Sequence, residues 1–258
     1  MCVDTCNKCR ELILQEIKAT HSAVALGEQN AREILNMEPE RKNRTDYQLS
    51  LTEGSGYPVV TALFELFGSN GPLRELYDQL VGSEGELYEL AAMTTEPGSD
   101  RQMIHTDFKF QKEPPLYSIF VALQDVSYDM GPTVFLPGTC NVKDNDRWKD
   151  KSTFDDYLRT KTPHLALLKK GDLIVYDPRT LHCGAANDAE AGHTRCMLNV
   201  GFHNVKAQGN FEYKGSLRSG YDKSRIRYKE FKQLLDQVGK GKTDDPFASY
   251  GNGLLSSS

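Results

Sequence analysis

From residue 86 onward, the chain is a succession of short apolar stretches separated by turns that contain proline or glycine. Short stretches bounded in this way are typical of β-strands. The predicted strands cover residues 87–93, 116–125, 133–136, 164–168, 173–176 and 195–203, together with a strand that carries residues 105–107. Many short strands favour a mainly β fold, either a β-sandwich or a barrel. The strand pattern alone does not choose a jelly roll over other β-sandwiches.

Helical patterns flank this β region on both sides. The predicted helices cover residues 8–37, 58–67, 73–80, 154–159 and 224–238, while the polar stretch 40–52 is predicted as a loop and 251–258 as a frayed tail. Pro58 suits the first turn of a helix, because its missing N–H is not needed there. We expect one domain over residues 1–258, divided into a helical flank (1–85), a β core with the metal site (86–205) and a C-terminal helix with a tail (206–258).

The composition excludes several classes of protein. The chain has 258 residues, 38% of them hydrophobic and 26% charged, with a net charge of -5, as in ordinary globular proteins. The chain has no stripe rich in lysine and arginine, so a nucleic-acid partner is not expected. The longest apolar stretch, residues 119–123, is far too short to span a membrane. Charged residues interrupt any N-terminal signal sequence, so we expect a cytoplasmic protein, although a processed organellar precursor would look the same.

Three cysteines near the N-terminus have a spacing that permits a second interpretation. Cys2, Cys6 and Cys9 follow the C-x3-C-x2-C pattern of radical SAM enzymes, in which thiolates hold an iron–sulfur cluster. The other interpretation is a disordered tip that carries three reduced thiols and leads into a helix. The remaining cysteines are scattered through the β region, where a free cysteine behaves as a small buried hydrophobe.

The sequence His105-Thr106-Asp107 is the strongest candidate for a metal site. On a strand, residues at i and i+2 point to the same face, so His105 and Asp107 would project together. One further histidine would complete two imidazoles and one carboxylate, the facial arrangement of non-heme Fe(II) oxygenases. The candidates for this third ligand are His164, His182, His193 and His203.

Four blocks of residues resemble the phytanoyl-CoA dioxygenase family of iron- and 2-oxoglutarate-dependent oxygenases. The blocks occur in the family's order and are His105-Thr106-Asp107, Gly131-Pro132-Thr133, Asp177-Pro178-Arg179-Thr180-Leu181-His182 and Thr194-Arg195-Cys196. The resemblance spans about residues 86–203. It implies a double-stranded β-helix (a cupin-like jelly roll) with flanking helices.

The resemblance also implies roles for single residues. His182 matches the family's distal histidine and would complete the iron ligands with His105 and Asp107. Arg195 would bind the far carboxylate of 2-oxoglutarate through its guanidinium fork. Gln102 and Thr133 match positions that contact 2-oxoglutarate in related enzymes.

Two positions bear on finer points of chemistry. Asp107 is a carboxylate, whereas related halogenating enzymes have a small residue there, so halogenation is not expected. Many relatives carry a hydroxyl two positions after the distal histidine. Here that position is Gly184, so one expected hydrogen bond to the cosubstrate is either missing or supplied by another residue.

The function implied by the resemblance is oxidation of a C–H bond with Fe(II), 2-oxoglutarate and O2, giving succinate and CO2. Hydroxylation is the commonest outcome in the family, and desaturation and oxidative cyclisation are alternatives. We expect a small organic substrate, with a slight preference for one that bears a carboxylate, since Arg101, Lys109 and Arg179 lie near the motif blocks. A non-catalytic jelly-roll binding module, or a relative that has lost turnover, is the alternative. The sequence specifies neither the substrate nor the oligomeric state.

Overall fold

The protein folds around a six-stranded antiparallel sheet. The computed structural model describes residues 1–36, 42–51, 56–108, 110–141, 153–207, 215–218, 225–240 and 246–251. The strands of this major sheet are β1 (Leu35–Asn36), β2 (Arg44–Gln48), β3 (Glu86–Thr95), β4 (Leu116–Ala122), β7 (Leu173–Tyr176) and β9 (Arg195–His203). Their spatial order is β1-β2-β3-β9-β4-β7, so the two longest strands, β3 and β9, pair at the centre.

A smaller sheet covers one face of the major sheet. It contains β5 (Thr133–Phe135), β6 (His164–Leu165) and β8 (His182–Gly184), in the order β6-β5-β8. Phe135 of this sheet packs in one apolar cluster with Phe120 and Met197 of the major sheet. Two packed sheets of short antiparallel strands form the predicted jelly roll, and the fold class is confirmed.

Most of the helices cover the other face of the major sheet, and one short helix, residues 154–159, packs beside the smaller sheet instead. The helices are α1 (Val3–Ala25), α2 (Gln29–Ile34), α3 (Pro58–Phe67), α4 (Arg74–Leu80), α5 (Phe154–Arg159), α6 (Tyr228–Val238) and α7 (Ala248–Gly251). α3 packs against both α1 and α6. Among the described residues, no helix is both long and apolar enough to cross a bilayer.

Side chains of the central strands alternate between the helices and the inside of the jelly roll. On β9, Leu198, Val200 and Phe202 belong to the helix-side core, while Arg195 and Asn199 face the smaller sheet across a cavity. This alternation follows from the period of two along a strand. Each central strand therefore contributes to the stabilising core with one face and to the cavity with the other.

The predicted elements agree with the structure over most of the β region. The predicted helices 58–67 and 154–159 and the predicted strands 173–176 and 195–203 have the observed bounds. The predicted strands 116–125, 133–136 and 164–168 are shorter in the structure, and the predicted C-terminal helix begins at Tyr228 rather than at residue 224. Residues 252–258 lie outside the described part of the chain, as does Lys109.

Three local predictions were wrong. The single helix over residues 8–37 is two helices, because Gly27 adopts a φ of 90° and ends the first one. The N-terminal tip is the first turn of α1, not a disordered segment. The loop predicted over residues 40–52 contains β2, so the segment 1–85 supplies two strands of the major sheet. The division of the chain at residues 85 and 205 stays a prediction.

An aromatic cluster joins the major sheet to the helices. Phe202 on β9 lies with its ring centroid 5.5 Å from Phe67, 5.5 Å from Tyr77, 5.1 Å from Tyr228 and 5.3 Å from Phe231. Edge-to-face contacts at these distances add to the stabilisation that burial provides.

Phe202→Ala tests this cluster. We expect the free energy of unfolding to fall by about 3–5 kcal/mol, because the substitution leaves a cavity among four rings. Urea denaturation followed by circular dichroism measures the change. Leu26→Ala is the control, since Leu26 is 82% exposed and its loss should change stability by less than about 0.5 kcal/mol. Similar effects of the two substitutions would contradict the assigned packing.

Candidate active site

A main-chain pairing brings His105 and His182 together. The N–H of His105 donates to the carbonyl of His182 at 3.0 Å, and the N–H of His182 donates back to the carbonyl of His105 at 2.9 Å. Residues that exchange both hydrogen bonds lie directly opposite each other. The two imidazole rings are consequently close, with 4.6 Å between their centroids.

Asp107 completes a group of three side chains that could hold a metal ion. Its carboxylate oxygens lie 3.6 Å from Nε2 of His105 and 3.5 Å from Nε2 of His182. The possible ligand atoms of the three residues lie within 4.8 Å of one another. The predicted strand around residues 105–107 was wrong, since only His105 pairs, in an isolated bridge, and Asp107 follows in a bend. The main-chain N–H of Asp107 donates to the carbonyl of Pro178 at 3.0 Å and fixes this bend.

Both imidazoles are oriented in the same way by the chain itself. Nδ1 of His105 lies 2.8 Å from the carbonyl of Met103, and Nδ1 of His182 lies 2.9 Å from the carbonyl of Thr180. A carbonyl can only accept, so each Nδ1 carries the hydrogen and each Nε2 keeps its lone pair for a metal. Burial lowers the pKa of the His182 imidazole, which also favours the neutral, metal-binding form.

The donor set fits a divalent transition metal. Two neutral imidazoles and one carboxylate on one side of a cavity are the ligands of the 2-His-1-carboxylate type, which leaves coordination positions open. His105 and Asp107 are each about one-third exposed at the side chain, whereas the side chain of His182 is 7% exposed. The open side of the group therefore faces the cavity and solvent.

The other candidate histidines lie elsewhere. His164 and His193 are exposed, and the ring of His203 lies beside that of Tyr88, tilted by 47°, with 5.9 Å between ring centroids. In the part of the chain that the structure describes, His105, Asp107 and His182 are the only group of three side chains placed to hold a metal ion.

The N-terminal cysteines are packed thiols on α1. Cys6 and Cys9 are fully buried, and the Cys9 thiol donates to the carbonyl of Pro58. Burial raises the pKa of Cys9 to about 12, which disfavours the thiolate that a cluster needs. Cys2 caps the helix by accepting from the N–H of Thr5. These contacts explain the cysteines without a cluster.

This candidate metal-binding group lies at the wall of a cavity between the two sheets. The cavity has a volume of about 390 Å³. Polar residues that line it, apart from the group of three, are Arg44, Asp46, Gln48, Glu89, Thr94, Thr95, Gln102, Thr133, Tyr176, Arg195, Asn199 and Ser216. Most residues that line the cavity are thus polar, although apolar side chains such as Met93 and Phe120 also line it.

Arg195 is buried at one end of this cavity. Arg195 is only 4% exposed. Its Nη1 donates to the carbonyl of Gly131 at 2.6 Å, and its Nη2 donates to the hydroxyl of Thr95 at 3.0 Å. Its Nε–H is buried and makes no hydrogen bond within the described residues. Burial and the neighbouring Arg44 lower the pKa of Arg195 to about 10, so the site would gain from an anion.

Gln102 and Thr133 both lie beside Gly184 and line the cavity. Oε1 of Gln102 accepts from the N–H of Gly184 at 2.8 Å, and the N–H of Gln102 donates to the carbonyl of Gly184 at 2.9 Å. Thr133 is the strand partner of Gly184 between β5 and β8. The structure therefore brings all six sequence-predicted residues around one cavity.

Sequence reasoning missed Arg44 and Glu89. Arg44 lies on β2, in the segment predicted as a loop. The alternation of buried Tyr47, Leu49 and Leu51 with polar neighbours was the signal for a strand there.

Glu89 is a buried carboxylate in the centre of the major sheet. It is 7% exposed and accepts from the hydroxyl of Ser118 at 2.8 Å. Its carboxylate lies where a Cβ on Gly201 would be, so the glycine provides its space. An acidic residue in the apolar stretch Leu87-Tyr88-Glu89-Leu90 was the signal for a functional position.

Arg179 and Arg101, which were considered as partners for an anionic substrate, do not line the cavity that contains the group of three side chains. Arg179 is 8% exposed, pairs with Asp177 at 2.6 Å and donates to the carbonyl of Gln111, so it has a structural role. Arg101 lines a second, smaller cavity of about 150 Å³ together with Lys161.

Comparison with known proteins gives one family match. The family model of phytanoyl-CoA dioxygenase (PhyH) matches residues 1–195. A search of the curated proteins found no match.

Two solved structures share the fold at low sequence identity. The non-heme monooxygenase ThoJ, in its nickel complex, aligns with a TM-score of 0.54 at 12% identity over 98% of this chain and 92% of ThoJ. AviO1 from Streptomyces viridochromogenes Tue57 aligns with a TM-score of 0.52 at 14% identity over 81% of this chain and 88% of AviO1. The non-heme alpha ketoglutarate dependent epimerase SnoN from nogalamycin biosynthesis aligns with a TM-score of 0.40 at 21% identity, and the chain spans only 55% of SnoN's length. On the family match over residues 1–195, the chain belongs to the phytanoyl-CoA dioxygenase family, a family of iron(II)- and 2-oxoglutarate-dependent dioxygenases.

Proposed function

We propose that this protein is an Fe(II)- and 2-oxoglutarate-dependent oxygenase that oxidises a C–H bond of a small polar molecule. The observation that carries the proposal is the convergence of His105, Asp107 and His182 on one wall of a cavity that also contains the buried Arg195. A metal-binding group and an anion-binding group in the same cavity are what this chemistry requires.

Each of these residues has a distinct task in the proposal. His105, Asp107 and His182 hold the metal, and the Nδ1–H bonds to the carbonyls of Met103 and Thr180 keep both rings aimed at it. Arg195 binds the far carboxylate of 2-oxoglutarate through its guanidinium. When bound, iron with 2-oxoglutarate and O2 would supply the oxidising power, with succinate and CO2 as co-products.

In this proposal, Gln102 and Thr133 contact 2-oxoglutarate and help to orient it in the cavity. Gln102 exchanges main-chain and side-chain hydrogen bonds with Gly184, and Thr133 pairs with the same residue from the other side. Both residues are polar and line the cavity between the metal group and the major sheet.

The far end of the cavity suggests the chemical nature of the substrate. Glu89 offers a carboxylate there, and buried polar atoms of Asn199 and Ser216 make no hydrogen bond within the described residues. Buried polar atoms normally have hydrogen-bond partners, so a substrate with hydroxyl or amine groups would match this end. A molecule of this kind fits better than a long apolar acyl chain.

Finer points remain sequence-based proposals. The preference for a carboxylate-bearing substrate is less favoured by the cavity, because its two described arginines, Arg44 and Arg195, both lie at the cosubstrate end. Hydroxylation is the first choice of reaction, with desaturation or oxidative cyclisation as alternatives. The cytoplasmic location also stays a prediction.

A coupled assay tests the proposed reaction. The full chain, loaded anaerobically with Fe(II) and then exposed to O2, should release succinate from 2-oxoglutarate, and polar substrates should increase this release. Mass spectrometry of the products should show a gain of about 16 mass units for hydroxylation or a loss of about 2 for desaturation or cyclisation. Iron binding without any succinate release across a broad screen would favour the non-catalytic binding module.

Asp107→Ala tests the metal site. We expect metal affinity to fall by at least about 100-fold, because the anionic ligand is lost and even the loss of a group that only hydrogen-bonds to a metal ligand costs about 10–100-fold. Anaerobic calorimetric titration with Fe(II), or with Ni(II) as a redox-stable probe, measures the affinity. Asp100→Ala is the matched control, since Asp100 is exposed and outside the group of three. Unchanged metal binding in the Asp107 variant would refute the assigned ligand set.

Arg195→Ala separates cosubstrate binding from metal binding. We expect the dissociation constant of 2-oxoglutarate to rise by about 10- to 100-fold, the effect of losing a charge-assisted hydrogen-bond pair, while metal affinity changes little. Titration of the Ni(II)-loaded protein with 2-oxoglutarate gives this constant. Arg74→Ala serves as the control, because Arg74 pairs with Asp236 and does not line the cavity. Equal losses of metal and 2-oxoglutarate affinity would contradict the role given to Arg195.

A further inference from the structure

Arg44 enters the cosubstrate end of the cavity from outside the motif region. It lies at the start of β2, and the register places it directly opposite Thr95 of β3, which is itself opposite Arg195 of β9. Strand neighbours in this register point to the same face of the sheet. Arg44, Thr95 and Arg195 thus form one row across three strands, and all three line the cavity.

The guanidinium of Arg44 is held in one orientation. Its Nη2 donates to the carbonyl of Asp100 at 2.9 Å and to the carbonyl of Ala185 at 2.6 Å, and its Nη1 donates to the hydroxyl of Thr95 at 3.1 Å. These contacts join β2 to the segment that precedes His105 and to the segment that follows His182. A guanidinium fixed in this way is ready to receive a carboxylate without losing further side-chain freedom.

Gly184 provides the space for this guanidinium. A Cβ added to Gly184 would lie 2.6 Å from Nη1 of Arg44 and 2.8 Å from Oε1 of Gln102. Any side chain at position 184 would therefore have to displace the guanidinium of Arg44 and the side-chain amide of Gln102. This position is two residues after His182, where many members of the family carry a hydroxyl, so here a guanidinium stands in the place of that side chain.

Arg44 and Arg195 together make a doubly cationic site. Both donate to the same hydroxyl oxygen of Thr95, at 3.1 and 3.0 Å, so their guanidinium groups are close neighbours. The mutual repulsion contributes to the lowered pKa of Arg195. Asp46 lies two residues further along β2, faces the same cavity and offsets part of this charge. The buried Nε–H of Arg195, which has no partner within the described residues, points to a missing acceptor at this place.

We propose that Arg44 is a second guanidinium for the far carboxylate of 2-oxoglutarate, and that Gly184 is the residue that admits it. This inference rests on the proposed function. It assigns the hydrogen bond that the family's hydroxyl would make to a residue from β2. Arg44 is then a cosubstrate-binding and specificity-determining residue, because two guanidiniums favour a 2-oxo acid that has a second carboxylate over one that lacks it.

The test compares two 2-oxo acids that differ in the far carboxylate. The Ni(II)-loaded full chain and its Arg44→Ala, Arg44→Lys and Arg195→Ala variants are titrated calorimetrically with 2-oxoglutarate and with 2-oxobutyrate, which lacks that carboxylate. For Arg44→Ala we expect a 10- to 100-fold rise in the dissociation constant of 2-oxoglutarate and less than about a twofold change for 2-oxobutyrate. Arg44→Lys should lie in between, since it keeps the charge but loses the planar fork.

The outcomes separate this inference from the proposed function. If Arg195→Ala weakens 2-oxoglutarate binding and Arg44→Ala does not, the inference is wrong and the proposed function stands. If Arg44→Ala weakens both acids equally, Arg44 is only a structural bridge and the inference is also wrong. If neither arginine affects 2-oxoglutarate, the proposed function itself is contradicted. Thermal unfolding of each metal-free variant identifies any variant that fails to fold, and Arg44→Lys then replaces Arg44→Ala in the comparison.

Substitution of Gly184 provides a second, independent test, again read out as the affinity for 2-oxoglutarate. In the wild-type background, Gly184→Ser should weaken 2-oxoglutarate binding, because its Cβ collides with Arg44. In the Arg44→Ala background the same serine has only the flexible amide end of Gln102 to displace and can supply the family's hydroxyl, so binding should improve relative to Arg44→Ala alone. Gly184→Ala in both backgrounds separates the effect of the hydroxyl from that of volume. An effect of Gly184→Ser with the same sign and size in both backgrounds would refute the coupling.

Discussion

The pair of main-chain hydrogen bonds between His105 and His182 is the interaction on which the candidate metal centre depends. These bonds tie together two segments that are far apart in sequence and belong to no common strand pair. They fix the separation of the two imidazoles before any metal arrives, and the carbonyls of Met103 and Thr180 fix the rotation of each ring. The centre is therefore preorganised by backbone geometry, which is more rigid than contacts between side chains alone.

Space in the cavity is shaped by glycines as much as by the side chains that face it. Gly201 leaves the volume that the carboxylate of Glu89 occupies, and Gly184 leaves the volume for the guanidinium of Arg44. Charged groups at these two places divide the cavity into a cationic end and an acceptor-rich end. Such a division orients a bound molecule without a large conformational change, since the groups are already held by neighbouring hydrogen bonds.

The extent to which the sequence predicted the site has a physical explanation. His105, Asp107, His182 and Arg195 were recognisable because short motif blocks specify both residue type and spacing, although the strand assumed around Asp107 does not exist. Arg44 was missed because β2 is a short strand near the sheet edge with only one apolar face, which gives a weak periodic signal among polar residues. Glu89 was missed because its role depends on Gly201, a residue distant in sequence that only strand pairing brings beside it. The packing of Cys9 likewise depends on helix α3, which a spacing pattern does not reveal.

The position of β2 has a consequence for how proteins of this type are divided and recombined. The stretch that carries the motif blocks looks self-sufficient, yet its cavity is closed on one side by a strand from upstream of residue 86. A chimera that transfers only the motif stretch into another scaffold would contain the candidate metal ligands but would lack β2, which lines one side of the cavity. Exchange of cosubstrate preference between relatives would for the same reason require β2 and the residue two positions after the distal histidine to be transferred together.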